Sequence, residues 1–207
     1  MWFWILEPQE KELLRRAELI RADVERFAFL AAHDSLTGLL NRGGFREATA
    51  LALATAKTSG EVVAFLQIDL DKFKEVNDTL GHPVGDLVLM EVAARLRAAA
   101  RETDLVARLG GDEFAIVCLG TRDVATIVAL GERIVAALAE PIDADPYRAQ
   151  ISASVGIAYY PAHGSTYDDV FAHADRAMYA AKTAGRNCVR LFSQSAAPSR
   201  LPSIKAS

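Results

Sequence analysis

Two short acidic clusters carry the residue types and spacing that could do chemistry. Residues 108–114 read Arg-Leu-Gly-Gly-Asp-Glu-Phe. Two glycines bend the backbone, and the carboxylates of Asp112 and Glu113 follow at once between apolar flanks. Taken alone this fits an ordinary hairpin turn, since Gly-Gly and Gly-Asp are favoured turn pairs. A second cluster, Asp69-Leu-Asp71, closes an apolar run earlier in the chain. If the two clusters meet, they form an oxygen-rich site suited to Mg²⁺. Carboxylates converging that closely would repel strongly without a cation.

The flanking pattern supplies elements able to bring them together. Residues 62–69 are a short apolar run that reads as a buried strand. Residues 83–101 read as a helix opened by Pro83. Residues 104–109 and 113–119 read as strands joined by the Gly-Gly turn. Residues 122–139 are a helix ending before Pro141, 150–159 a strand, 167–184 a helix ended by Gly185, and 188–192 a last short strand. The order from residue 62 is βαββαβ, a ferredoxin-like core of the α/β (α+β sandwich) class, with a mixed, mostly antiparallel sheet flanked by helices. The helical crossover makes the first two strands parallel. The third inserts between them, antiparallel to the first, which puts Asp69 beside Asp112 at one edge of the sheet.

The chain has 207 residues, 51% of them hydrophobic, and a net charge of −4. That length suits one globular domain with accessories. The acidic balance argues against a non-specific nucleic-acid binder, but not against binding one or two nucleotides. Cys118 and Cys188 match no zinc or redox spacing and read as reduced thiols of a cytosolic protein. No stretch reaches the roughly 20 apolar residues of a membrane span. The apolar Met1-Trp-Phe-Trp-Ile-Leu6 fits the end of a lost span, a partner contact or a true start equally well. Residues 1–33 read as an amphipathic stalk helix, with Leu13, Ala17, Ile20, Val24, Phe27 and Ala31 alternating at steps of four and three. Such a seam serves self-pairing or docking on the chain's own domain. Asn41 can cap the helix over 42–57. Residues 34–192 form the domain, and the small, polar tail 193–207 reads as disordered.

Five stretches in order resemble the GGDEF domain of diguanylate cyclases. They are Asp34-Ser-Leu-Thr-Gly-Leu-Leu-Asn-Arg42, Asp69-Leu-Asp-Lys-Phe-Lys-Glu-Val-Asn-Asp78, Gly81-His-Pro-Val-Gly-Asp86, Arg108-Leu-Gly-Gly-Asp-Glu-Phe114 and Ala174-Asp-Arg-Ala-Met-Tyr-Ala-Ala-Lys-Thr-Ala-Gly-Arg-Asn187. The resemblance covers Asp34 to Asn187. It implies condensation of two GTP into cyclic di-GMP with release of two pyrophosphates, using two Mg²⁺ (or Mn²⁺) per site. Asp69, Asp112 and Glu113 are the natural metal ligands, with the Leu70 carbonyl contributing; Glu113 serves metal binding or proton transfer. Free N–H groups of Phe73 and Lys74 at a helix start can hold phosphate, and Lys74 can add its ammonium. The family sets Lys182 and Arg186 on the β- and γ-phosphates; alternatively they are helix-terminal cations favouring the dipole. Gly111 allows close backbone approach. Asn77 and Asp86 would read guanine, against plainer roles as loop cap and first-turn acid.

A two-fold symmetric product requires two sites facing across a C₂ axis, so a homodimer is expected, controlled by a sensor upstream of this chain. Arg101-Glu-Thr-Asp104 matches the family's product-inhibition motif, and Arg133 could complete that pocket; a local ion pair is the plainer account. His33, His82, His163 and His173 show no metal spacing. Tyr159, Tyr160, Tyr179 and Phe114 read as packing residues. Two other functions stay open: a receptor binding GTP or cyclic di-GMP without turnover, and a cyclase making a single-nucleotide product.

Overall fold

The structure is a computed structural model that describes residues 8–120 and 123–193. The apolar opening Met1–Leu6 and the tail beyond 193 lie outside the described residues. The chain begins with α1 (Pro8–Ala32) and α2 (Arg42–Ser59). Then follow β1 (Val63–Asp71), α3 (Phe73–Leu80), α4 (His82–Ala99), β2 (Leu105–Gly110), β3 (Glu113–Cys118) and α5 (Val124–Ala139). A small hairpin, β4 (Ile142–Ala144) and β5 (Tyr147–Ala149), precedes β6 (Ser152–Tyr160), α6 (Tyr167–Thr183) and β7 (Cys188–Leu191).

The five-stranded sheet has the order β2-β3-β1-β6-β7. β3 sits between β1 and β2 and is antiparallel to both; β6 is antiparallel to β1, and β7 is parallel to β6. The mixed, mostly antiparallel α/β architecture is therefore the expected one. The hairpin was not foreseen. Three-residue strands are too short to show a period, and the hairpin stays outside the main sheet.

β1 is buried along its whole length because helices cover both faces of the sheet. Ala64, Leu66, Ile68 and Leu70 pack on one side with Val88, Val92 and Leu96 of α4 and Ile127, Ile134 and Leu138 of α5. Val63 and Phe65 pack on the other with Phe45 and Leu53 of α2 and Val170 and Ala174 of α6. Gly156 lets α6 lie directly on β6; a Cβ there would overlap the Ala174 carbonyl and the Met178 amide. Asp69, Asp71 and Glu113 share the α2/α6 side through strand alternation.

Local signals set the helix ends. Asn41 accepts from Gly44 N, and Thr166 with Asp169 forms a capping box at α6. Arg95 of α4 donates to the carbonyls of Ala137, Glu140 and Pro141, satisfying the end of α5. Phe114 is fully buried, as are Tyr159 and Tyr160, whereas Tyr179 is exposed. His82 opens α4. Both cysteines are free.

The α1 seam stands in solvent: Leu13, Ile20, Val24 and Phe27 are each more than 60% exposed. In the described residues that stripe is not packed on the domain. Among the described residues, no helix is long and apolar enough to cross a membrane.

His163 supplies a pH-dependent term in stability. Its Nδ1 accepts the Tyr159 amide N–H (3.0 Å), which requires the neutral ring. Burial, and then the charge of His173, hold it below its ordinary value of 6.5. The unfolded chain thus binds this proton more readily. The stabilisation is complete above 6.5 and is lost as pH falls through the lower folded value. Denaturation midpoints are expected to drop across that window, and His163→Gln to flatten the drop. An unchanged slope in the variant would assign it to other groups.

Candidate active site

The acidic clusters come together through strand register. Asp69 of β1 lies directly opposite Glu113 of β3, and the Leu70 amide donates to the Asp112 carbonyl (3.2 Å). Gly110 and Gly111 carry positive φ angles of 139° and 55°, which the turn requires and glycine permits. The four residues Asp69, Leu70, Asp112 and Glu113 therefore share one end of the sheet.

Each of two acids already has a protein cation. Lys182 Nζ of α6 lies 2.8 Å from Asp69 Oδ2. Arg42 reaches Glu113 (3.2 Å) and also donates to the Leu109 carbonyl. Burial pushes the Asp69 carboxyl above its ordinary value. Lys182 pulls against that rise, while Asp112 and Glu113 add to it. Burial is the larger of these effects, so the contact with Lys182 does not restore the ordinary value.

Among the described residues no three acidic, histidine or cysteine side chains form a ready-made metal cage. Mg²⁺ usually takes one or two carboxylates plus substrate phosphates rather than an all-protein shell. The hard oxygen donors of Asp69, Asp112 and Glu113, with the Leu70 carbonyl, fit such an ion.

Beyond β1 the chain turns through Lys72, at φ 62°, into α3, whose N-terminus has no side-chain cap. The amides of Phe73 and Lys74 open this helix; Phe73 is buried and Lys74 exposed. Asn77 on α3 packs against Gly85 of α4, where a Cβ would overlap its amide oxygen. Asp86 is the next residue of α4 and is exposed, so Asn77 and Asp86 lie at one helix–helix corner. Arg186 is exposed, past the end of α6, at φ 65°.

The second predicted cluster also assembles. Asp104 is buried; its Oδ2 accepts from the Arg101 amide (2.8 Å), and its Oδ1 makes no hydrogen bond among the described residues. Arg101, Asp104 and Arg133 line one cavity of about 130 Å³ with Cys118, and Arg133 donates to the Ala99 carbonyl. Burial, and then the Asp104 carboxylate, push the Cys118 thiol up to about 12. This thiol is inert at neutral pH.

Sequence reasoning passed over Asp34, Arg42, Arg108 and Asp71 as site residues. Arg108 donates twice to the Gly111 carbonyl (3.0 and 2.9 Å) and pairs with Asp34 (3.2 Å). Asp34 in turn accepts from the Thr37 amide and hydroxyl. All four lie inside the five stretches quoted above, which was the available signal.

The match to known proteins follows this geometry. The family model "Diguanylate cyclase, GGDEF domain" matches residues 31–188. The chain belongs to this family. It is 44% identical to diguanylate cyclase TpbB of Pseudomonas aeruginosa, over 79% of this chain and 38% of that protein. The solved GGDEF domain of TpbB superimposes with a TM-score of 0.75 at 43% identity, covering 78% of this chain and 94% of that one. The coiled coil and GGDEF domain of DgcB from Caulobacter crescentus, solved with c-di-GMP, gives a TM-score of 0.81 at 29% identity, covering 88% and 97%. The chain spans 21–38% of the length of curated relatives at 42–44% identity.

Proposed function

We propose that this chain is the catalytic portion of a diguanylate cyclase, condensing two GTP into cyclic di-GMP with release of two pyrophosphates. The observation that carries the reading is the register of Asp69 opposite Glu113 with the Leu70 amide on Asp112. Asp69, Asp112, Glu113 and the Leu70 carbonyl would hold two Mg²⁺ or Mn²⁺. Bound there, such ions activate an attacking hydroxyl and stabilise charge on the leaving oxygen. Lys182 and Arg186 take the β- and γ-phosphates, and the Phe73 and Lys74 amides with the Lys74 ammonium hold further phosphate oxygens. Asn77 and Asp86 read guanine; a carboxylate accepts from guanine N1–H and its amino group, a pattern adenine lacks. Gly111 leaves room for the nucleotide beside the turn. The attacking 3′-hydroxyl must lose a proton, and Glu113 is the carboxylate assigned to that role.

Each subunit binds one GTP, so turnover needs two sites across a two-fold axis. The exposed α1 seam supports a homodimer. Product returning to the cavity of Arg101, Asp104 and Arg133 would inhibit, with arginine reading guanine. One observation favours a second reading, a GTP or cyclic di-GMP receptor without turnover: Asp69 and Glu113 are each already paired with a protein cation.

The test is incubation with GTP and Mg²⁺ over a dilution series, with products separated chromatographically. Cyclic di-GMP is expected, with the rate per molecule falling on dilution. Nucleotide bound without product at any protein concentration would select the receptor. Full specific activity from a strict monomer would remove the dimer.

A further inference from the structure

We propose that Asp71 is a positioning residue for the triphosphate, acting through a latch that fixes the segment carrying Arg186. The inference rests on the reading of the neighbouring site as a GTP site. No step assigned above uses Asp71, Ser152 or Ser154.

Asp71 is the last residue of β1 and is 4% exposed. Its Oδ1 accepts from Ser154 Oγ (2.7 Å). Its Oδ2 accepts from Ser152 Oγ (2.8 Å) and from the Asn187 amide (3.0 Å). The serines come from β6, where Ser152 is Asp71's register partner. A buried carboxylate with three donors around it is held in one orientation.

What it holds is strained. Arg186 and Asn187 are consecutive non-glycine residues at φ 65° and 47°. Side chains with a Cβ rarely adopt that region, and such residues persist only where their surroundings over-determine them. The Arg186 amide bonds back to the Ala181 carbonyl (3.1 Å), and the next amide goes to Asp71. The segment is thus pinned at one end to α6 and at the other to β1.

Asp69 and Asp71 lie two residues apart on one strand and face the same side. Asp69 meets Lys182, and Asp71 meets the amide just after Arg186. One strand therefore meets Lys182 directly and anchors the backbone that carries Arg186. Releasing the latch would let Arg186 and the end of α6 drift from the phosphates while the guanine corner of Asn77 and Asp86 stays in place. Displacements on the order of an ångström at a positioning group are enough to cost a hundredfold.

The discriminating measurement is the ratio of GTP to GMP affinity, with Mg²⁺, for the full chain carrying Asp71→Asn. Asparagine has one acceptor oxygen where the carboxylate has two, and no charge, so it cannot serve all three donors as they stand. GTP affinity is expected to fall roughly tenfold to a hundredfold, the scale for groups that orient a ligand-bearing residue, while GMP affinity stays unchanged. KM for GTP should rise by more than kcat falls. Ser152→Ala should shift the ratio the same way by less, and Ser152→Thr, which keeps the hydroxyl, should retain the wild-type ratio. A merely structural role would lower the unfolding midpoint and leave the ratio alone; that result overturns the proposal. If Asp71→Asn does not fold, an unchanged ratio in Ser152→Ala overturns it equally. A wild-type chain with no preference for GTP over GMP refutes the underlying site reading instead, a distinct outcome.

Discussion

Asp112→Ala is expected to lower cyclic di-GMP formation by at least about a thousandfold, the scale for losing a group that organises charge at the reacting phosphate. The fold should survive. Asp112 is tied to β1 through its backbone carbonyl, which alanine keeps, and its side chain has no hydrogen-bond partner among the described residues. Stability should therefore change by no more than about 0.5 kcal/mol, as for surface substitutions elsewhere. Initial rates at saturating GTP and Mg²⁺, with a thermal melt alongside, read both quantities. Retention of more than a tenth of the rate would show that Asp112 is not at the reacting centre.

Arg108→Ala should act on stability and turnover together. The Arg108 side chain is 13% exposed and joins two structures, the Gly111 carbonyl and Asp34. Burial pushes the Asp34 carboxyl up, but bonds from Thr37 and the charge of Arg108 outweigh it and hold it below its ordinary value. Alanine leaves a carbonyl without donors and a half-buried carboxylate with Thr37 alone. The expected loss is about 2–4 kcal/mol, the cost of orphaning partly buried polar partners. The turn that carries Asp112 and Glu113 loses its brace, so kcat should fall as well. Arg108→Lys should recover little, because an ammonium cannot fork to two acceptors. A denaturant midpoint indistinguishable from wild type would refute this account.

Much of this was readable in advance, and particular residues show why. Apolar runs bounded by turn residues located β1, β3 and β6. The crossover rule put β3 between β1 and β2, and so put Asp69 beside Asp112. The pairs Arg42–Glu113 and Arg108–Asp34 were not readable, since each spans more than seventy positions and leaves no local period. Asp71 was seen as one of two neighbouring acids. Its partners Ser152 and Ser154 depend on the register between β1 and β6, which neither strand discloses alone. Lys182 was assigned to phosphates, and the structure adds its contact with Asp69, a pairing that helical spacing cannot anticipate. The β4–β5 hairpin escaped because three residues make no pattern.

Asn41 serves two helices at once. Its side-chain oxygen opens α2, while its amide group donates to the Ala31 and His33 carbonyls at the close of α1. Gly44 lets the two helices abut, since a Cβ there would overlap the Ala32 carbonyl. A single primary amide thus ties the close of α1 to the start of α2 across the connection over residues 33–41. A turn of the first helix therefore acts on the same side chain that opens the second, one residue before Arg42.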